Sequence, residues 1–281
     1  MLRTRLLLLL AGIILSALLF LLPKVVVDDE QGKSNISDQP KANEEEHNDH
    51  EDENFHGSEQ KDISPEIRKE INNLTELLKN NSVKEKSATF ADSIASIYHS
   101  LGMLDSVAKY RGLAADNFPN EENLEFAGLA YYEAFGYVTD DNKAKIFGDN
   151  VRAYLGEILE NHPERLDLKT KIAMTYVSSQ NPMQGILLLR EVIESDPENE
   201  EALYNLGLLS RQSGQLDKAI ERFSKIVAIN PDHIQARFLL AVTYLDLGEN
   251  NKAKEQFEIV KRTNDDPAVQ ATVDSYLEKI N

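Results

Sequence analysis

From residue 63 onward the hydrophobic positions recur every three or four residues, the period of an amphipathic helix. The clearest stretch begins at Glu200: Leu203, Leu206 and Gly207 share one helical face, while Leu216, Ala219, Phe223 and Ile226 share a second. Gly214 lies between them and supplies a turn. Small residues at Gly207 and Ala219 predict that the two backbones approach closely, and a larger side chain at either place would push the pair apart. Pro119, Pro163, Pro197, Pro231 and Pro267 punctuate the pattern at separations of 44, 34, 34 and 36 residues. A proline ends one helix and suits the entry turn of the next, because it lacks the N–H and fixes φ. The spacing therefore predicts one antiparallel helix pair per interval, and an all-α fold.

Leu203, Leu206-Gly207, Ala219, Phe223 and Pro231 resemble the tetratricopeptide repeat, with Ser210 standing where that family usually carries an aromatic. The likeness continues in register through Ala241, Tyr244, Gly248, Ala253, Phe257 and Val260, and backward through Ala173, Tyr176, Gly185, Leu189, Val192 and Pro197. A more degenerate unit reads Ile94-Ala95, Tyr98, Gly102, Val107, Ala114 and Pro119. Between Glu121 and Pro163 the first helix fits through Leu124, Ala127-Gly128 and Tyr131, but about ten extra residues enlarge the hairpin near 137–150. That insertion reads either as a recognition loop or as a merely longer hairpin. About five repeats are expected over 84–265.

Flanking helices are predicted at both ends. Ser64-Pro65 opens one, with Ile67, Ile71, Leu74, Leu77 and Leu78 on a stripe; Asp266-Pro267 opens the other, with Val269, Val273, Tyr276, Leu277 and Ile280. Such caps are needed because each hairpin leaves an apolar face bare without a neighbour. The resemblance implies a right-handed superhelical solenoid of antiparallel pairs over 63–281.

The N-terminal end has a different texture. Residues 6–22 are apolar apart from Gly12 and Ser16, 17 residues that with their flanks reach the short end of a membrane span. Arg3 and Arg5 precede the run and Asp28, Asp29 and Glu30 follow it, so the positive-inside bias keeps the N-terminus cytoplasmic. Residues 1–27 are expected to be a single-pass anchor; a cleaved secretory signal is the alternative, although the end of the run lacks a small-x-small site. Residues 28–62 carry thirteen acids against three lysines, a charge of minus 10, with little apolar content beyond Ile36 and Phe55. That composition predicts a disordered, self-repelling tether. His47, His50 and His56 stand among its acids, without the spacing of an ordered metal site.

The chain's 281 residues carry 48 acids and 30 basic residues, a net charge of minus 18 that argues against nucleic acid as a partner. With no cysteine, disulfides, thiolate metal sites and a Cys nucleophile are excluded. No phosphate-binding glycine loop or nucleophile elbow occurs, and His99, His162 and His233 are dispersed near helix ends, so neither an enzyme nor a cofactor or metal is expected. Asp265-Asp266 reads as a helix cap.

In the resembled family the first helix of each pair lines a concave groove. Carried onto this chain, its groove positions are Glu125, Leu129 and Tyr132; Thr170, Met174 and Val177; Tyr204, Leu208 and Arg211; Phe238, Val242 and Leu245. Aromatic, Met and Arg side chains there suit protein or peptide partners; the competing reading is that they are covered by packing between repeats. Asp92, Thr170, Tyr204 and Phe238 stand where a basic carboxylate clamp would need Lys and Asn, which disfavours such a clamp. The expectation is a membrane-anchored scaffold or co-chaperone that binds extended segments in envelope protein assembly or translocation, with its repeats periplasmic at a bacterial inner membrane. A targeting-signal receptor on an organelle outer membrane and a self-associating structural protein are the alternatives.

Overall fold

The computed structural model describes residues 63–280. The apolar run 6–22, the boundary at 27 and the acidic segment 28–62 with His47, His50 and His56 lie outside the described residues. Among the described residues there are twelve α-helices and no strand: α1 (Pro65–Asn80), α2 (Lys84–Ser100), α3 (Leu104–Asn117), α4 (Glu121–Phe135), α5 (Asp141–Asn161), α6 (Leu166–Val177), α7 (Pro182–Ser195), α8 (Glu200–Gln212), α9 (Leu216–Ile229), α10 (Ile234–Asp246), α11 (Asn250–Thr263) and α12 (Pro267–Ile280). No helix among them is long and apolar enough to cross a membrane. They fall into two compact units, 63–179 with α1–α6 and 180–280 with α7–α12, and each has its own core.

Helix ends follow local chemistry. Ser64 Oγ accepts from the Ile67 N–H at 3.3 Å with Pro65 in the first turn of α1, and Asp266 Oδ1 accepts from the Ala268 N–H at 2.8 Å where α12 starts. Asn120, Asp140 and Asn199 cap α4, α5 and α8 in the same way; each such cap contributes about 1 kcal/mol. His162 ends α5 and His233 caps α10, its Nδ1 accepting from the Ala236 N–H at 3.2 Å. Gly214 and Gly248 close the turns after α8 and α10 with φ of 79°, where a Cβ is strained.

The extra residues of the second repeat are helix rather than loop. Residues 136–140 join α4 to α5, and α5 runs 21 residues against 14 in α3 and α9. The longer hairpin is therefore the form taken, because Phe147, Val151, Leu155 and Ile158 continue a buried stripe along α5 and stabilise the added turns.

In the unit 63–179 each helix packs on its successor in sequence. Tyr131 of α4 lies 5.6 Å edge-on to Phe147 and 5.9 Å stacked on Tyr154, both of α5. Gly112 of α3 admits these rings, since a Cβ there would lie 3.0 Å from Tyr131 and 3.1 Å from the Tyr154 hydroxyl oxygen. The Tyr154 hydroxyl donates to Asp116 at 2.9 Å. Burial, and after it the Asp116 charge, pushes both phenols above their ordinary value. On α1 the expected stripe is only partly covered: Ile71 is buried but Leu77 is 50% exposed.

In the unit 180–280, Leu203, Ala219, Phe223, Ile226, Ala236 and Leu240 form one buried cluster; Ala241, Val242, Ala253, Phe257, Val260 and Val273 form the next. Val273 belongs to α12, whose Val269, Tyr276, Leu277 and Ile280 also pack there, so the terminal helix covers the last pair. A Cβ on Gly207 would lie 2.6 Å from Phe223 Cε1, which shows how closely α8 and α9 approach.

Gly207→Ala should therefore cost about 1–3 kcal/mol, because the buried Phe223 ring has to move; urea denaturation followed by circular dichroism measures it, and an unchanged midpoint would refute the close contact. For Tyr131 and Tyr154, the folded state binds the phenolic proton more tightly than the unfolded chain does. Their contribution is complete below the unfolded value of about 10 and is lost as pH rises past it. Absorbance at 295 nm should show the last tyrosines ionising together with loss of helicity, rather than before it.

Candidate functional site

In the unit 63–179, Leu129, Tyr132 and Met174 are half-buried, whereas Thr170 and Val177 are buried at 0% and 5% exposure. Thr170 Oγ1 turns onto its own helix and donates to the Leu166 carbonyl at 2.9 Å. Glu125 takes both arms of the Arg165 guanidinium, at 2.7 and 3.1 Å, and Arg165 also reaches Asp167. These hydrogen bonds, that of Glu125 foremost, hold the guanidinium charged. Tyr132 lies under the Lys171 ammonium, 5.9 Å from the ring centre. Between α4 and α6 the expected wall is thus a braced surface with cation–π and ion-pair contacts.

Leu129 lines a cleft of about 320 Å³ between α2 and α4. Ala95, Ser96 and His99 of α2, Val107 and Arg111 of α3, and Phe126, Ala130 and Glu133 of α4 complete its lining. Phe126 is 42% exposed, and the Arg111 guanidinium sits 4.9 Å over its ring while pairing with Asp92 at 2.6 Å. The floor is apolar and aromatic, and the rim carries an imidazole, a guanidinium and a carboxylate. Sequence reasoning missed Phe126, Arg111, His99 and Glu133 as a group. In the degenerate second repeat it set Glu125 at the groove position, and a shift of one residue turns a side chain by about 100° around the helix. Counting 34 residues on from Asp92 reaches Phe126.

In the unit 180–280, α8 carries Tyr204, Leu208 and Arg211, and α10 carries Phe238, Val242 and Leu245. Tyr204 lies edge-on to Phe223 at 6.1 Å and stacks on the His233 imidazole at 5.6 Å; burial pushes its phenol up. Phe238 meets Phe257 and Tyr276 edge-on, both at 5.6 Å. Val242 is buried, 7% exposed, and so departs from the expected open wall: its side chain packs into the cluster that α12 closes. Leu208 and Leu245 are half-buried against the two clusters. Arg211 donates to Asp246 through Nε at 3.0 Å and Nη2 at 2.7 Å, bracing α8 to α10. Covering by packing between repeats, the competing reading, describes Thr170, Val177 and Val242 and much of Tyr204 and Phe238. Among the described residues no group of three or more His, Asp or Glu is placed to hold a metal ion.

The tetratricopeptide repeat family matches this chain in two registers, over residues 170–234 and 210–274. Among solved structures, a tetratricopeptide repeat protein from Parabacteroides merdae is similar at 17% identity and a TM-score of 0.54, over 76% of this chain and 78% of that one. MamA from Desulfovibrio magneticus aligns at 19% identity and a TM-score of 0.49, over 63% of this chain and 94% of its own. A thermophilic repeat protein from Thermus thermophilus aligns at 16% identity and a TM-score of 0.48, over 68% and 99%. No curated protein sequence matches the chain. Residues 170–274 thus match the tetratricopeptide repeat, and the likeness to the Parabacteroides merdae protein extends to the fold alone.

The contrast between the two surfaces is testable by stability. Phe238→Ala removes a ring wedged against Phe257 and Tyr276 and should cost about 2–4 kcal/mol. Phe126→Ala, at an exposed ring, should cost less than about 1 kcal/mol. Equal shifts in the urea midpoint would contradict this assignment.

Proposed function

We propose that the chain is a membrane-tethered protein-interaction scaffold that holds an extended segment of a partner protein against the first helices of its repeats. The observation that carries this reading is the α2–α4 cleft, where exposed Phe126 and half-buried Leu129 form an apolar floor inside a polar rim of His99, Arg111 and Glu133. Its volume of about 320 Å³ is at the small end for a ligand pocket, which suits one or two side chains of a peptide better than a whole cofactor. Rigid aromatics contribute contact area at low entropic cost, and the rim polar groups can pair with an extended backbone. Tetratricopeptide repeats favour the same reading, since this architecture presents surfaces to other chains.

In this proposal residues 6–22 supply the anchor and residues 28–62 the spacer. The charge asymmetry around the apolar run favours repeats on the outer side of a bacterial inner membrane, in envelope protein assembly or translocation.

A photo-crosslinking amino acid placed at Ser96 or Leu129 in intact cells should yield one or a few discrete adducts, while the same group at Glu157, exposed on α5, should yield none. Adducts of equal intensity from all three would eliminate the cleft as the capture surface. Protease added to spheroplasts should digest the repeats, and protection there would reverse the topology.

A further inference from the structure

The sequence that leads into α1 is polar almost throughout, yet it holds one aromatic side chain. Phe55 is the sole Phe, Tyr or Trp among residues 28–62 and stands eight residues before Ile63. Its sequence neighbours Glu53, Asn54 and His56 are polar and offer the ring no apolar cover, so burial elsewhere is favourable. An open aromatic floor lies at the matching end of the helix pair that follows. Residues 81–83 alone join α1 to α2, and Leu78, near the end of α1, packs on the cluster that Ala88 and Ala91 of α2 form with Ala114 of α3. The two helices therefore run antiparallel, and the start of α1 at Pro65 lies level with the last turns of α2. Those turns carry Ala95, Ser96 and His99, one wall of the α2–α4 cleft.

We propose that Phe55 docks in this cleft, so that the chain's own residues 51–56 occupy the capture surface until a partner displaces them. The inference rests on the reading of the cleft as a capture surface and adds the class of side chain it selects. The eight residues from Phe55 to Ile63 span up to about 27 Å, and the ring has only to pass the end of α2, a helix about 10 Å across. The rim carries both signs, and Arg111 already pairs with Asp92, so charge does not choose the occupant. Shape does: Phe126, 42% exposed, and Leu129 offer a surface on which a second ring packs edge-on or offset. One ring in an open cleft binds weakly, but a short tether presents it at an effective concentration of about millimolar. A displacing partner must then bring an aromatic or bulky apolar side chain of its own.

Phe55→p-benzoylphenylalanine in the full chain, irradiated in detergent micelles and read by peptide mass spectrometry, tests the proposal. Adducts within one chain on peptides holding Ser96, Phe126 or Leu129 are expected, and Phe126→Ala should reduce them about fivefold. The same probe at Ile36, 27 residues from Ile63, should label the cleft far less. The proposal is overturned if adducts from position 55 avoid the cleft or ignore Phe126→Ala, or if position 36 labels the cleft as strongly. It is equally overturned if mixing nitrogen-15-labelled and unlabelled protein shows the adducts only between copies. In intact cells, Phe55→Ala should raise the partner adducts of a probe at Leu129 about threefold. Partner adducts unchanged by Phe55→Ala overturn the proposal and leave capture standing. Partner adducts absent from both chains overturn capture instead, while cleft adducts from position 55 still support docking.

Discussion

A helix pair of this kind cannot cover its own apolar surface, and the structure is arranged around that deficit. The first helix of a pair is thin where the second is bulky: Gly128 faces Leu155, and Gly207 faces the Phe223 ring, so closely that an added Cβ would fall 2.3 Å and 2.6 Å from those side chains. Close approach within the pair directs the remaining large side chains outward to the next pair. Tyr204 of α8 stacks on His233 at the start of α10, and Phe238 of α10 meets Tyr276 of α12. Each unit thus gains stability by nearest-neighbour contacts, and the terminal helix α12 is part of the core because Val273 is fully buried.

This constraint decides which side chains remain for a partner. Tyr204 and Phe238 have the residue type and spacing of ligand-facing anchors, yet the same type and spacing serve the contact between successive pairs, and in the structure that contact claims most of each ring. Arg211 and Glu125 are likewise engaged, with Asp246 and Arg165. Two of the clefts that packing leaves lie beside departures from the repeat pattern. The α2–α4 cleft belongs to the two most degenerate repeats, and a second cleft, among α7, α8 and α9, sits beside Ser210, where the pattern is broken.

The legible part of this molecule was its periodicity. Apolar residues at three- and four-residue intervals, prolines at helix junctions and glycines in tight turns act locally, so Pro65, Gly214, Asp266 and the α12 stripe could be read without any knowledge of tertiary contacts. Three features were not legible for a common physical reason: each depends on a rotation about a helix axis or on a neighbour distant in sequence. The insertion near 137–150 could be loop or helix until the buried faces of Phe147 and Val151 had a partner to meet. Phe126 differs from Glu125 by one position along α4, and only the packing of α2 and α3 against that helix shows which of the two faces the cleft. Arg222 occupies the space near Ser210 from twelve residues away, on another helix.

Those misreadings carry information about function. A sequence locally consistent with its fold is explained by stability, and the places where local rules fail are where a second demand acts on the chain. An exposed Phe at a position the core does not need and a buried Ser with an Arg reaching toward it are two such places. In each case the structure shows what stands there instead: an aromatic floor beneath Arg111, and the Arg222 guanidinium at the Ser210 hydroxyl. A repeat array tolerates such local departures because its stability is distributed over many neighbouring contacts, and the pairs on either side keep the altered one folded.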